Sequence, residues 1–434
     1  MNQNRRNFLR RTSMMGASLA AAQSPQHEHG KPKPERPPAS GASDESGFLP
    51  VITPDLPKLP FRLEGGVKVF ELIAEPVRTE FLRASSWSEA RVVDAWGYNG
   101  SVPGPTIEVR EGDRVRIVFR NHLPEPTTPH WHGLEVPMDQ DGVPGIGQPL
   151  IMPGETHIYE FTLRQNGTFF YHSHMPMQEL LGMIGLFIVH PKRPHEPRVD
   201  KDFAFILQGW AILPNNTIPN TMAMEFNWLT MNGKSGPDTT PMIIRQGEHI
   251  RMRFVNLSMD HHPIHMHGHQ FYVTGTEGGR IPASAWYPGN TVIVGVAQAR
   301  DVELVAQHEG DWMVHCHLPH HMMNQMVSMV GPMNHLAHAA PSTPSGPEAH
   351  ADHAHSARRP PGFPQDMWMT MDAEVARPET SWLPEGWTGA MMGMMTLARI
   401  LPSEKYERMM SLIRERRYEP GPKWPAKETT RRRS

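Results

Sequence analysis

The stretch His315-Cys316-His317-Leu318-Pro319-His320-His321, with Met326 just beyond it, holds residue types that could do chemistry together. Cys316 is the single cysteine in 434 residues, so it has no partner for an internal disulfide. His321 stands five residues after it and Met326 five beyond that. A thiolate, an imidazole and a distant thioether are parts of a blue-copper centre, where one cysteine and two histidines lie in a plane about copper with a long axial Met. The second imidazole must come from elsewhere, and His262-Pro263-Ile264-His265-Met266-His267-Gly268-His269 offers it. On a strand, residues i and i+2 share one face and i+1 takes the other. His315 and His317 therefore look away from the copper that Cys316 would hold, toward a second metal centre.

The elements that position these residues occur twice. The stretch from Ile107 to Asn121 matches the one from Ile243 to Asn256, with Arg110 and Arg245 135 positions apart. The same offset carries His130 onto His265 and His132 onto His267, and an offset of 143 carries His172-Ser173-His174 onto His315-Cys316-His317. Both halves alternate apolar and polar residues, with β-branched runs between Gly and Pro turns, the pattern of antiparallel sandwich strands. The chain is therefore expected to be all-β, with two Greek-key β-sandwiches at residues 61–191 and 202–333. A linker with Pro191, Pro194 and Pro197 joins them. The repeat also predicts what the first half lacks. Thr127 falls at the position of His262, Ser173 at Cys316 and Gln178 at His321, while Met183 matches Met326. Without a thiolate the first half holds no blue copper, yet it keeps its own paired histidines. Buried structural histidines are usually single, so the H-x-H pairs point to metal.

These motifs together resemble the multicopper oxidases, the family of laccases and cuprous oxidases. The resemblance covers residues 67–332 and rests on four motifs: His130-Trp131-His132-Gly133, His172-Ser173-His174, the His262–His269 run and the stretch from His315 to Met326. Asn99-Gly100-Ser101-Val102-Pro103-Gly104-Pro105 is also typical of the family. The resemblance implies cupredoxin-like domains and copper of three types. By motif position, His262, Cys316, His321 and Met326 would hold the type 1 copper. His130 and His265 would hold the type 2 copper, and His132, His172, His174, His267, His315 and His317 the binuclear type 3 pair. It further implies that a reductant, Cu(I) or a phenol, gives up single electrons at type 1 copper. Cys316 and its flanking histidines would pass them to a trinuclear cluster that reduces O2 to water.

Only 88 positions separate His174 from His262, too few for the further sandwich of three-domain members. The resemblance is thus to the two-domain, small-laccase branch. That implies a homotrimer with each trinuclear cluster between domain 1 of one subunit and domain 2 of the next. Proton supply calls for a carboxylate near the cluster. Asp141, in Asp139-Gln140-Asp141-Gly142-Val143-Pro144, is the candidate, and an Asp-Gly turn is the other reading. His261, His269 and His320 have no ligand role in the family pattern. A copper nitrite reductase, the rival enzyme, keeps its blue copper in domain 1, where this chain has Ser173. The non-enzyme alternative is a copper-sequestering protein that binds the metal without turnover.

Composition fits a metal protein handled outside the cytoplasm. The counts of 26 His and 30 Met supply soft and borderline copper ligands. Gly 36 and Pro 44 exceed their average share and favour a loop-rich β protein. A net charge of −3 argues against a nucleic-acid partner, and no apolar run reaches the roughly 18 residues of a membrane span. Asn4-Arg5-Arg6-Asn7-Phe8-Leu9-Arg10 resembles a twin-arginine signal, with residues 1–22 removed on export to the periplasm or medium. Residues 23–60 are expected to be a disordered leader.

Residues 334–364, with His335, His338, His350, His353 and His355, are expected to be a flexible linker. In a Met-rich extension at 365–434, Trp368-Met369-Thr370-Met371 and the stretch from Ala390 to Leu397 are expected to form short strands. Ser403 would cap a helix carrying Tyr406, Met409, Met410 and Ile413, and the extension would pack on the sandwich. The methionines near the type 1 ligands (Met313, Met322, Met323, Met329) and in the extension (Met391, Met392, Met394, Met395) favour Cu(I) as the reductant, since thioethers hold that ion well. Adaptable packing is the other reading of the same residues.

Overall fold

The computed structural model describes residues 48–85, 89–213, 216–322 and 370–423. They form four sheets in two sandwiches. In the first sheet, the 16-residue strand Val67–Leu82 pairs along its first half with Phe61–Glu64 and with Arg114–Asn121, which Thr156–Thr162 extends. Its second half pairs with Arg91–Tyr98. The second sheet runs Gly104–Arg110, Ile184–His190, Gly167–Ser173, Pro129–His132. Leu72, Val115, Ile117 and Phe119 from the first meet Ile107, Trp131, Tyr171 and Phe187 from the second in one apolar core.

The third sheet runs Trp228–Met231, Lys201–Trp210, His249–Asn256, Gln298–Val305, Phe271–Thr276, Gly279–Arg280, with Tyr287–Gly289 also on Phe271–Thr276. The fourth runs Met242–Arg245, Met395–Leu401, Gly310–Cys316, His262–Met266, Thr291–Val294. The second and third sheets also pack on each other. Phe170, Ile184, Leu186 and Ile188 of one meet Ala204, Ile206 and Val255 of the other. Apolar layers on both sides explain why Ile184–His190 is buried at all seven positions and does not alternate. A buried ionic clasp crosses this layer: Arg253 donates to both oxygens of Asp202 at 2.8 Å and to Thr168 Oγ1 at 2.6 Å.

The extension differs from the appendage expected from sequence. Met395–Leu401 lies inside the fourth sheet, parallel to Met242–Arg245 and antiparallel to Gly310–Cys316. Its seven residues are all buried, and Ala398 and Ile400 belong to the sandwich core. The chain runs from Cys316 through residues 323–369, outside the described set, before it supplies this strand. Sequence order therefore hid a sheet neighbour. Thr370-Met371 is a turn start and not a strand, with the Met371 N–H donated to Thr388 Oγ1 at 2.8 Å. The helix Ser403–Glu415 forms as its spacing predicts and buries Tyr406, Met409 and Leu412. Ser403 is its first helical residue, not the cap; Pro402 takes the cap position, and its C=O accepts the Tyr406 N–H at 2.8 Å. The twin-arginine stretch, most of the leader, the His/Pro-rich linker and Trp368-Met369 lie outside the described residues.

Candidate metal centre

The fourth sheet brings three donors to one point. Cys316 ends the strand Gly310–Cys316 opposite Ile264, and His262 begins the neighbouring strand His262–Met266. A short turn at Pro319–Met322, closed by the His321 N–H to Leu318 O bond, returns His321 to the same place. Cys316 Sγ stands 3.7 Å from His262 Nδ1 and 3.3 Å from His321 Nδ1, and the two Nδ1 atoms are 3.2 Å apart. All three side chains are buried.

Their orientation is fixed from behind. His262 Nε2 lies 2.7 Å from Ser258 Oγ, which donates to Asn256 Oδ1 at 2.9 Å. With the Nε2 proton on Ser258, the Nδ1 lone pair of His262 faces Cys316. His321 Nε2 lies 3.6 Å from a carboxylate oxygen of Asp260. Burial lowers His262 to about 3 and His321 to about 4, and it pushes the Cys316 thiol up to about 12. Without a cation the site thus holds two neutral imidazoles and a thiol with converging lone pairs. Ligand atoms about 2.0–2.3 Å from one ion in a plane stand roughly 3.5 Å apart. The donors fit a trigonal copper site of one thiolate and two imidazoles, and a bound cation would displace the thiol proton. Met326, expected from spacing as the axial donor, lies outside the described residues.

The paired histidines form two further groups. In the second sheet His130 faces His172 across the Pro129–His132 and Gly167–Ser173 strands, and His132 Nδ1 lies 3.3 Å from His172 Nε2. His174 completes this group, its ring 5.4 Å from that of His130. In the fourth sheet His265 faces His315, and His267 Nε2 lies 3.0 Å from His315 Nε2. His317 stands beside them, its ring 5.3 Å from that of His315. Matching backbone acceptors orient both groups. His172 Nδ1 lies 2.8 Å from Ser173 O, and His315 Nδ1 2.8 Å from Cys316 O. His130 Nδ1 lies 2.8 Å from Asp141 O, and His265 Nδ1 2.8 Å from Asn290 O. Burial, then the neighbouring His172 and His130, lowers His132 to about 4; burial also lowers His130, His267 and His315. These four rings are neutral at pH 7 and able to bind metal.

Ring contacts join histidines within each group, and among the described residues none joins one group to the other. The second group is also open to solvent. His267 and His317 are exposed, and a cavity of about 440 Å³ opens beside His265, Gly268, His269 and Asn290.

Asp141 lies in a turn and beside a histidine of the first group. It ends the short turn Met138–Gln140, and its Oδ1 lies 3.4 Å from His130 Nδ1. Gly142 follows with φ +85, and a Cβ there would stand 1.8 Å from Pro129 O, so only glycine lets the turn lie against the His130 strand. Glu179, unremarked in the sequence, places Oε1 3.2 Å from His172 Nδ1. Ser258 and Asp260 were likewise missed. They sit in a loop whose nearness to His262 and His321 arises only from folding. His269 turns away to His308, whose N–H it accepts at 3.2 Å; His320 is exposed, and His261 Nδ1 accepts the Val296 N–H at 3.0 Å.

The corresponding place in the first sandwich holds no donor set. Thr127 Oγ1 and Ser173 Oγ are 3.0 Å apart, Ser173 Oγ donates to Gln178 Oε1 at 2.7 Å, and Gln178 Nε2 donates to Pro126 O at 2.9 Å. This closed polar plug removes the blue centre that a nitrite reductase would need there.

Comparison with known proteins agrees with this geometry. One multicopper oxidase profile matches residues 83–194 and a second matches 212–333, together just over half of the chain. Copper resistance protein A of Pseudomonas syringae pv. tomato is 40% identical over 116 residues, 27% of this chain and 19% of that protein. Laccase-3 of Botryotinia fuckeliana is 29% identical over 222 residues, 47% of this chain and 48% of the laccase. The chain thus spans about a fifth to a half of the length of these relatives. Among solved structures, the blue copper oxidase from Nitrosomonas europaea superposes with a TM-score of 0.53 at 32% identity, over 59% of this chain and 81% of that one.

Proposed function

The chain belongs to the multicopper oxidase family, and we propose that it oxidises a small reductant one electron at a time and reduces O2 to water. The observation that carries this is the back-to-back arrangement at the end of one strand. Cys316 faces His262 and His321 in the core, while the adjoining His315 faces His267 on the other side. His262, Cys316 and His321 would hold a type 1 copper. His130 and His265 would hold the type 2 copper, and His132, His172, His174, His267, His315 and His317 the type 3 pair. Copper bound at these places supplies one-electron exchange with the reductant and four-electron reduction of oxygen. The protein's part is to hold the donors rigid and to link the two centres through the Cys316–His315 backbone, whose carbonyl also fixes the His315 ring. Asp141 and Glu179, each against a histidine of the first group, are placed to pass protons toward the oxygen-reducing centre.

The active form is a homotrimer in this reading. Each histidine group is assembled within its sandwich, no ring contact among the described residues joins the two, and the second keeps His267 and His317 exposed. A head-to-tail ring would set the first group of one chain on the second group of the next and cover both. The twin-arginine-like N-terminus would send the protein to the periplasm or beyond. Among the described residues no helix is long and apolar enough to cross a membrane.

The favoured reductant is Cu(I), on grounds that differ from the sequence expectation. Met391 and Met395 are buried with Met313, Met322, Leu383 and Trp387 in one apolar cluster, which supports packing as their role. Asp260 is the better reason. Its carboxylate is 44% exposed beside His321, and its chain neighbour Met259 is exposed too. An acid and a thioether at the edge of the type 1 centre suit a soft cation more than a neutral phenol. Oxygen uptake by the copper-loaded protein, with Cu(I) and with a small phenol, tests the proposal. Uptake with either supports an oxidase, and a faster rate with Cu(I) supports the substrate. Copper binding without uptake would instead mean sequestration.

A further inference from the structure

The two sandwiches close their histidine sheets with strands in one shared register, and that register bears on which methionine serves the Cys316 site. In the first sandwich His172 stands opposite Ile184, and in the second His315 stands opposite Met395. The residues just before follow suit. The Ser173 N–H donates to Met183 O at 3.1 Å, and the Cys316 N–H donates to Met394 O at 3.0 Å. The Met183 N–H donates to Gln178 O at 3.3 Å, and the Met394 N–H to His321 O at 2.9 Å. Gly182-Met183-Ile184 thus corresponds to Gly393-Met394-Met395. The repeat offset is 143 at Ser173 and Cys316 but 211 at Met183 and Met394, so the second half carries 68 extra residues between its histidine turn and its closing strand.

We infer that Met394, not Met326, is the axial thioether donor of the type 1 copper, and that the 68-residue insertion lies between two ligands of one metal ion. The inference rests on the copper-oxidase reading above. Met394 is the methionine whose backbone is tied to two ligands at once, its amide to His321 and its carbonyl to Cys316, which fixes its α-carbon relative to both. It is fully buried in the same core as Cys316 and Ile264. Strand alternation separates it from its neighbour, since Met395 packs with Met313 and Met322 in a different cluster. Met183, at the same place in the first sandwich, is equally buried beside the polar plug. Both halves therefore keep a methionine at this position, and in the second it stands at a site with three strong donors. A long axial sulfur adds little affinity and acts mainly on the reduction potential and colour of the centre.

The test compares full-length, copper-loaded Met394→Gln, Met394→Leu, Met326→Gln and Met326→Leu by visible absorption, electron paramagnetic resonance and redox titration. Met394→Leu should raise the type 1 potential, and Met394→Gln should lower it and change the absorption and resonance spectra. Both Met326 variants should superpose on wild type. Should the Met394 variants not fold, copper-edge X-ray absorption of selenomethionine-labelled Met326→Leu decides. A copper–selenium distance that persists supports Met394, and its loss overturns the inference. A blue wild type whose potential and spectra follow Met326 and ignore Met394 overturns the inference alone. A colourless, copper-loaded wild type overturns the oxidase reading and the inference with it.

Discussion

The two sandwiches share a scaffold down to single hydrogen bonds, yet only the second presents a cysteine with two histidines at its core end. The loop before each second histidine position is held the same way. Asn121 Nδ2 donates to Glu125 O and Ile151 O, and Asn256 Nδ2 donates to Asp260 O and Val294 O, at 2.9–3.0 Å. What differs is the side chains this loop and the closing strands deliver. In the first sandwich Leu123, Thr127, Ser173 and Gln178 give an apolar side chain and a ring of mutually satisfied polar groups. In the second, Ser258 holds the His262 ring from behind, and His262, Cys316 and His321 bring two imidazole Nδ1 atoms together with one thiol hydrogen to share between them. Buried polar groups are stable when every donor and acceptor is matched. The first site reaches that state within the protein, and the second falls short of it by a hydrogen that a bound cation would make good. A binding site here is thus a scaffold position whose hydrogen bonding is left incomplete, not a different fold.

The severest way to break the comparison is to remove the strand that closes only one of the two sheets from afar. A chain ended after Pro332 keeps Cys316 and all the histidine motifs but loses Met395–Leu401. The ladder groups of Met242–Arg245 and Gly310–Cys316 would lose their partner strand, and Ala398 and Ile400 would leave the core. The second sandwich should then lose its cooperative thermal transition and the protein its type 1 copper, as measured by calorimetry and metal analysis. A truncated protein that melts like the full chain and stays blue would mean this strand is dispensable.

Cys316→Ser writes the first sandwich's residue into the second. Colour and oxidase activity should fall to background while the circular dichroism spectrum stays that of a β-sandwich. The metal-free variant should change in stability by only about 1 kcal/mol, because the new hydroxyl can donate to an imidazole Nδ1 as Ser173 donates to Gln178 Oε1. A smaller effect comes from mixing chains. His130→Ala and His315→Ala should each be inactive, and mixed trimers should regain part of the wild-type rate, since some interfaces then carry an intact group from each chain. Verified mixed trimers with no activity would place both groups of a working centre in one chain.

How much of this was legible in sequence follows from spacing. The H-x-H pairs, Cys316 and His321 sit at short, fixed intervals on strands or just beyond their ends, so a repeat offset and strand alternation were enough to group them, and the structure brings the members of each group together. The backbone tie of Met394 to Cys316 and His321 was not legible, because 68 inserted residues separate it from the histidine turn. Glu179, Ser258 and Asp260 belong to turns, and a lone acid or serine in a turn carries no periodic signal. For Met391 and Met395 of the extension, the packing reading is the one their buried cluster supports.

Asp260 allows the finest test, because the first sandwich supplies its own control. Glu125 occupies the same loop position, with its backbone carbonyl accepting the same asparagine hydrogen bond, but Gln178 stands where His321 would be. Only Asp260 therefore has its carboxylate beside an imidazole of the type 1 centre, 3.6 Å from His321 Nε2. If that carboxylate attracts a cationic reductant, Asp260→Asn should raise KM for Cu(I), while a neutral phenol should be oxidised as before. The effect should be small, since one partly exposed charge contributes about 0.2–1 kcal/mol, or roughly 1.4- to 5-fold in KM. It should shrink further at high ionic strength, where exposed charges are screened. Glu125→Gln should change neither substrate. Steady-state oxygen uptake for the two variants, with each reductant at low and high salt, reads all of this. Equal losses on Cu(I) and phenol would show that Asp260 acts by holding the His321 ring, and the case for a cationic reductant would lose its support.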